Sequence, residues 1–156
     1  MDPIMKVPTA IFRMLIAAAL IASPLMARAA DATGEANKKI VLAFYEAALM
    51  NFDAEKARSY LGERYTQHNP NAPDGVEGVM GLIKFLKEKY PQRSSSIKRV
   101  MADGDLVMIH VHAKPTPEER GSAIVDIFRL ESGKIVEHWD VMQAVPETAK
   151  NSNTMF

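Results

Sequence analysis

The chain of 156 residues contains no cysteine, carries no excess of either charge, and has no apolar run long enough to cross a bilayer. Without cysteine there is no disulfide framework, so a domain of this size has to be held by packing alone. Lys and Arg number 19, and so do Asp and Glu. The basic residues are scattered, and the one short cluster, Lys84 to Lys89, is interrupted by Glu88 and falls on the outer face of a predicted helix. That pattern excludes nucleic acid as an expected partner. Internal repeats and low-complexity tracts are absent as well.

The first 29 residues read as a targeting segment rather than part of a fold. Lys6 and Arg13 precede the apolar run Met14 to Ile21, which ends in Ser23-Pro24, and Ala27-Arg28-Ala29 offers small residues where a signal peptidase inspects them. The expectation is a cleavable signal peptide over 1–29 and a periplasmic or secreted bacterial protein with no membrane association after cleavage. The remaining chain has 127 residues, with 16 basic against 18 acidic side chains and a charge of about −2. It is long enough for one domain with a real core, expected over 30–146, followed by a flexible tail over 147–156.

Periodicity of three and four comes first. Residues 35–51 place Ile40, Val41, Phe44, Ala47 and Ala48 on one stripe. Asp53 is a good N-cap for a second, short helix, Ala54 to Leu61, stopped by Gly62. Residues 63–74, ERYTQHNPNAPD, read as an irregular loop in which Tyr65 and His68 are candidates to close a pocket. Asp74-Gly75 opens a third helix with the stripe Val79, Leu82, Ile83, Leu86 and Tyr90, ending at Pro91. Gly78 and Gly81 weaken that helix, which suggests that its first turns approach a sheet closely.

From Ser95 the period becomes two. Residues 96–101 and 106–113 read as a hairpin around Ala102-Asp103-Gly104-Asp105. On its second strand Val107, Ile109 and Val111 share one face, and Leu106, Met108, His110 and His112 the other. A polar loop, KPTPEER, leads to a second hairpin, GSAIVDIFRLESGKIVEHWDVM. Its turn contains one glycine, which favours a three-residue loop closed by Gly133 over a two-residue type I′ turn. In that register Asp126 opposes His138, Ile124 opposes Asp140 and Phe128 opposes Val136. A two-residue turn would slip every pair by one and set Asp126 beside Trp139. The opposite face carries Val125, Ile127, Ile135, Trp139 and Val141.

Two carboxylates and an imidazole on an otherwise apolar strand face are costly unless paired or opening on a wet pocket. They read either as a satisfied structural Asp-His pair or as a pocket acid/base with a burial-raised Asp pKa.

These residues have a family look. The helical hairpin, the loop YTQHNP, the helix led by DGVEG, the strand DGDLVMIHVH and above all VDIFRLESGKIVEHWD resemble the SnoaL-like polyketide cyclases, within the nuclear-transport-factor-2-like superfamily. The resemblance runs from about residue 35 to 146. It implies an α+β fold, a cone-shaped barrel of a curved antiparallel sheet wrapped on three N-terminal helices. It also implies an apolar pocket in which one aspartate, here Asp126, acts as acid/base in an aldol ring closure without metal or cofactor. Limonene epoxide hydrolases of this fold use an acid-arginine-acid relay, and Asp140 matches one of their acids in position. The nearest arginine, Arg129, is sent by alternation to the face opposite Asp126.

The resulting expectation is acid/base chemistry on a small carbonyl compound: aldol-type cyclisation, isomerisation or hydration. Asp126, His138 and His110 are the catalytic candidates, and Tyr65, His68, His112, Phe128 and Asp140 the substrate-binding ones. His110 and His112 point the same way on a strand, a spacing that can chelate a metal with His138 or Asp126, but imidazoles donating to an enolate oxygen are the preferred reading and no metal is expected. The alternative is a non-catalytic exported module that binds a small molecule. A homodimer is expected through the sheet face carrying Val107, Ile109, Val111, Val125, Ile127, Trp139 and Val141, which is too apolar to face water.

Overall fold

A computed structural model describes residues 32–156; the signal segment expected over 1–29 lies outside the described residues. Helix α1 runs over residues 32–45 and continues as a π-helical turn, Glu46–Met50, in which the Asn51 amide donates to the Glu46 carbonyl at 2.9 Å. Its inward stripe is Val41, Phe44, Tyr45, Ala47 and Ala48. The side chain of Asp53 accepts from the Lys56 amide at 3.0 Å and caps α2, Ala54–Arg58. Helix α3 is Gly75–Lys89, with Val79 and Ile83 buried. Five strands follow the pattern β1 (Leu61–Gln67), β2 (Ser94–Asp103), β3 (Leu106–Lys114), β4 (Ser122–Glu131) and β5 (Lys134–Ala144). They form one open sheet in the order β1-β5-β4-β3-β2, with helices packed on its concave side. The expected α+β cone is therefore present, with a sheet that does not close into a barrel. Among the described residues no helix is long and apolar enough to cross a membrane.

Three differences from the sequence reading bear on the site. First, the second helix ends at Arg58, and the supposed loop begins as β1, paired parallel with β5. The helical reading loses because the edge of β5 offers backbone partners: the Ile135 amide donates to the Tyr60 carbonyl at 2.9 Å, and the strand buries Leu61 and Tyr65. The sheet thus has five strands, one pair of them parallel, instead of four antiparallel ones.

Second, the β4–β5 hairpin has the two-residue turn. Ser132 (φ 49°) and Gly133 (φ 75°) both occupy the left-handed region, as a type I′ turn requires, and Glu131 pairs with Lys134. A bulge then shifts the register between Arg129 and Leu130, with Val136 the extra residue on β5. Asp126 consequently opposes Asp140, Phe128 opposes His138 and Ile127 opposes Trp139. The pairings Asp126 with His138, Ile124 with Asp140 and Phe128 with Val136 do not form. The faces of Asp126, His138, Asp140 and Trp139 nonetheless survive, because the slip at the turn and the slip at the bulge add to an even number. Ile135, before the bulge, turns inward and is fully buried.

Third, β3 presents its other face. Val107, Ile109 and Val111 pair with Phe128, Asp126 and Ile124, face the helices and are fully buried, so they belong to the core and not to an outer apolar face. Gly121 lies at the start of this pairing. With φ +76° it takes a conformation that costs other residues strain, and a Cβ there would sit 2.1 Å from the Ala113 carbonyl oxygen, which closes the turn with Ala113 opposite Ser122. At α3, a Cβ on Gly78 would meet the Pro73 carbonyl at 2.2 Å, whereas Gly81 has nothing within 4 Å. The close approach is thus to the preceding loop, at Gly78 alone, and not to the sheet.

Candidate functional site

Between the helices and the inner sheet face lies a cavity of about 320 Å³. Its walls are mostly apolar, including Phe44, Leu49, Val79, Leu86, Ile124 and Phe128, and its polar groups are few. At the sheet it meets Asp126 and His138, which are 5% and 8% exposed, and the half-buried Asp140.

Asp126 and His138 sit on adjacent strands, offset by one pair along the inner face, and His138 Nε2 lies 3.0 Å from Asp126 Oδ1. The other carboxylate oxygen, Oδ2, is buried and has no hydrogen-bond partner. Burial pushes the Asp126 carboxyl above its ordinary 3.8, against the hydrogen bond and charge of His138, which pull it down. Gln67 determines the tautomer. Its Oε1 accepts from the Asn69 amide at 2.9 Å, which orients the carboxamide, and it lies 2.9 Å from His138 Nδ1. Nδ1 therefore carries a hydrogen, and Nε2 and Asp126 Oδ1 share one proton between them. The Phe128 ring packs 4.8 Å from the imidazole. Asn69 Nδ2 donates to Asp140 Oδ2 at 2.7 Å, holding the second carboxylate opposite the first.

Two tyrosines add hydroxyls to the lining. Tyr65, on β1, is buried, and its hydroxyl is pushed well above the usual phenol value by burial and then by Asp126 and Asp140. Tyr45, on α1, is pushed up to about 12, again by burial first and Asp126 second. Both remain O–H donors at any physiological pH. Asp126, His138 and Asp140 also offer three donor atoms within 4.8 Å of one another, a set that a divalent cation could gather only by replacing the Asp126–His138 bond.

The remaining sequence candidates are elsewhere. His110 and His112 pair with Val125 and Ala123 and lie on the outer face of the sheet. There Arg99 Nη1 donates to His110 Nδ1 at 3.0 Å, His112 Nε2 donates to the Arg120 carbonyl at 2.7 Å, and Phe156 from the C-terminal segment stacks on both rings. The sheet separates them from Asp126 and His138, so the shared histidine cluster does not form, either as enolate donors or as a metal site. His68 also faces outward: its ring stacks on Trp139 at 4.8 Å, and Nε2 lies 2.8 Å from Glu137 Oε1. Arg129 is on the outer face as expected, bound to Glu137 and Asp105. Tyr45, Gln67, Asn69 and Arg93 line the cavity without having been singled out in the sequence. The period-two pattern Tyr65, Gln67, Asn69 would have found two of them had the segment been read as a strand.

A family model described as a SnoaL-like domain matches residues 41–138. No curated protein matches the chain in sequence. Among solved structures the chain is similar to TsrD from Streptomyces laurentii, at 20% identity and a TM-score of 0.58, covering 69% of this chain and 88% of that one. It is similar to IdmH, a proposed polyketide cyclase from Streptomyces antibioticus, at 21% identity and a TM-score of 0.57, over 68% and 91% of the two chains. An LEH-like epoxide hydrolase from M. tuberculosis superposes at 19% identity with a TM-score of 0.59, over 70% and 84%. At these identities the likeness is one of fold.

Proposed function

Since the chain belongs to the SnoaL-like domain family, and its cavity ends on a buried carboxylate with one oxygen unpartnered, we propose that it is a pocket enzyme performing acid/base chemistry on a small carbonyl compound. The carrying observation is Asp126 Oδ2. A buried carboxylate oxygen without a donor is costly, and the cost is relieved when it accepts a proton. Asp126 Oδ2 removes a proton α to the substrate carbonyl, while Oδ1 leaves the shared proton on His138 Nε2. The dyad then holds one extra proton and a positive charge beside the enolate it has made, which is electrostatic stabilisation of the developing charge in a dry site. Tyr45 and Tyr65, kept protonated, supply hydroxyl donors in the same cavity. Asp140, held by Asn69, exchanges protons with the solvent side. Ring closure, isomerisation and hydration all proceed from such an enolate.

Proton exchange at carbon tests the reading without the physiological substrate. With β-tetralone in D2O, followed by NMR, the protein accelerates α-deuteration, and Asp126→Asn removes the acceleration by about 100-fold or more. Acceleration that survives Asp126→Asn would exclude Asp126 as the base. Binding of the ketone with no accelerated exchange would establish the non-catalytic binding module instead.

A further inference from the structure

Among the described residues lining the cavity there is one Lys or Arg, and it is Arg93. It stands immediately before β2, half-buried, with Nη1 donating to the Leu49 carbonyl at 2.6 Å at the end of the π-helical turn. Elsewhere Arg58, Arg64 and Arg129 each meet an acid, Glu77, Glu131 and the pair Glu137 and Asp105 respectively. Arg93 forms no ion pair among the described residues, and the acid dyad is already occupied with itself through His138. A guanidinium has five N–H donors in a planar fork, and the Leu49 carbonyl takes one of them. Tyr45, its other neighbour, brings a hydroxyl and no charge. The adjoining wall, with Leu49, Leu86 and Tyr90, is uncharged, and Asp126, the acid across the cavity whose carboxyl feels the Arg93 charge, makes no ion pair with it among the described residues. A half-buried cation in such a place is costly unless an anion joins it, and a carboxylate matches the fork in geometry as well as charge.

We propose that Arg93 anchors the substrate by a carboxylate, making the ligand an apolar oxo acid whose acid end lies on Arg93 while its carbonyl faces Asp126 and His138. This names the substrate class and rests on the reading of this cavity as the functional site. The anchor also explains how a mostly apolar cavity can orient a small molecule: one fixed charge at Arg93 and one proton-transfer group at Asp126 define a direction between them. Arg93 touches the substrate away from the reacting atoms, so its loss weakens the binding of acids far more than that of neutral ketones.

Titration calorimetry with two probes tests this: 5-oxo-5-phenylpentanoate and its neutral primary amide, each added to the purified protein and to Arg93→Gln and Arg93→Lys variants. The unaltered protein is expected to bind the acid about tenfold or more tighter than the amide, with a preference that shrinks in high salt. Arg93→Gln brings that ratio to about one while amide binding is kept, and Arg93→Lys restores part of it. If Arg93→Gln fails to fold, the Arg93→Lys series and the acid-to-amide ratio of the unaltered protein carry the test. Equal binding of both probes, binding of neither, or a ratio unchanged in Arg93→Gln overturns the anchor. The two readings fail separately. No acid preference in the unaltered protein, with its tetralone exchange intact, removes the anchor alone, and an acid preference that depends on Arg93, with no exchange, removes the catalytic reading alone.

Discussion

At the scale of single residues, the site depends on a conflict between Asp126 and its surroundings. A carboxyl whose pKa is raised in the folded protein binds its proton more tightly there than in the unfolded chain. The stability it contributes is fully present below the ordinary carboxylate value of 3.8 and is lost as pH rises through the higher folded value. Asp126→Asn imitates the protonated form, and its amide can donate to His138 Nε2 where the carboxyl did. Thermal unfolding is therefore expected to show the variant more stable at neutral pH by about 1 kcal/mol, a few degrees in Tm, with the difference vanishing below pH 4. A variant less stable at both pH values would mean that the His138 bond outweighs burial. The sequence made Asp126 and His138 legible because charged groups stand out on an apolar strand. Gln67 and Asn69 were not legible, since their importance lies in orienting other side chains.

Elements show where pattern reading stops. Alternation along β4 and β5 identified the shared face of Asp126, His138 and Asp140, and an even total slip preserved it although every cross-strand partner differed and Ile135, before the bulge, turned inward. On β3 one face carries Val107, Ile109, Val111 and Ala113 and the other His110 and His112, so alternation favours burying the first, and assigning the histidines to the cavity sets that preference aside. Where β4 begins, Gly121 has a positive φ and approaches the Ala113 carbonyl too closely for a side chain. Gly121→Ala is expected to cost at least about 2 kcal/mol, read as a lowered urea midpoint with an unchanged m-value. A midpoint within experimental error of the parent would show that this turn does not hold the register.

For the whole molecule, the outer sheet face is less bare than the sequence suggested. His68 and Arg129 cover Trp139, and Phe156 covers His110 and His112. The apolar surface left there includes Met101 on β2, and it is greatest near the end of β5, where Val141 is 71% exposed. If the protein self-associates through its sheet, this is where Val141→Arg acts: sedimentation is expected to give a dimer for the parent and a monomer for the variant, with the acid-to-amide binding ratio unchanged. A monomeric parent at micromolar concentration would remove the sheet dimer. The sequence by itself determined the order of helices and strands after Gly75, the capping at Asp53, and the placing of Asp126, His138 and Asp140 on one strand face. Each of these rests on local periodicity and backbone preference. Only the tertiary structure decided that residues 61–67 are a strand, that His68 faces away from the cavity, and that Tyr45, Gln67 and Arg93 face it. Those outcomes depend on register and on backbone partners far along the chain, which no local pattern encodes.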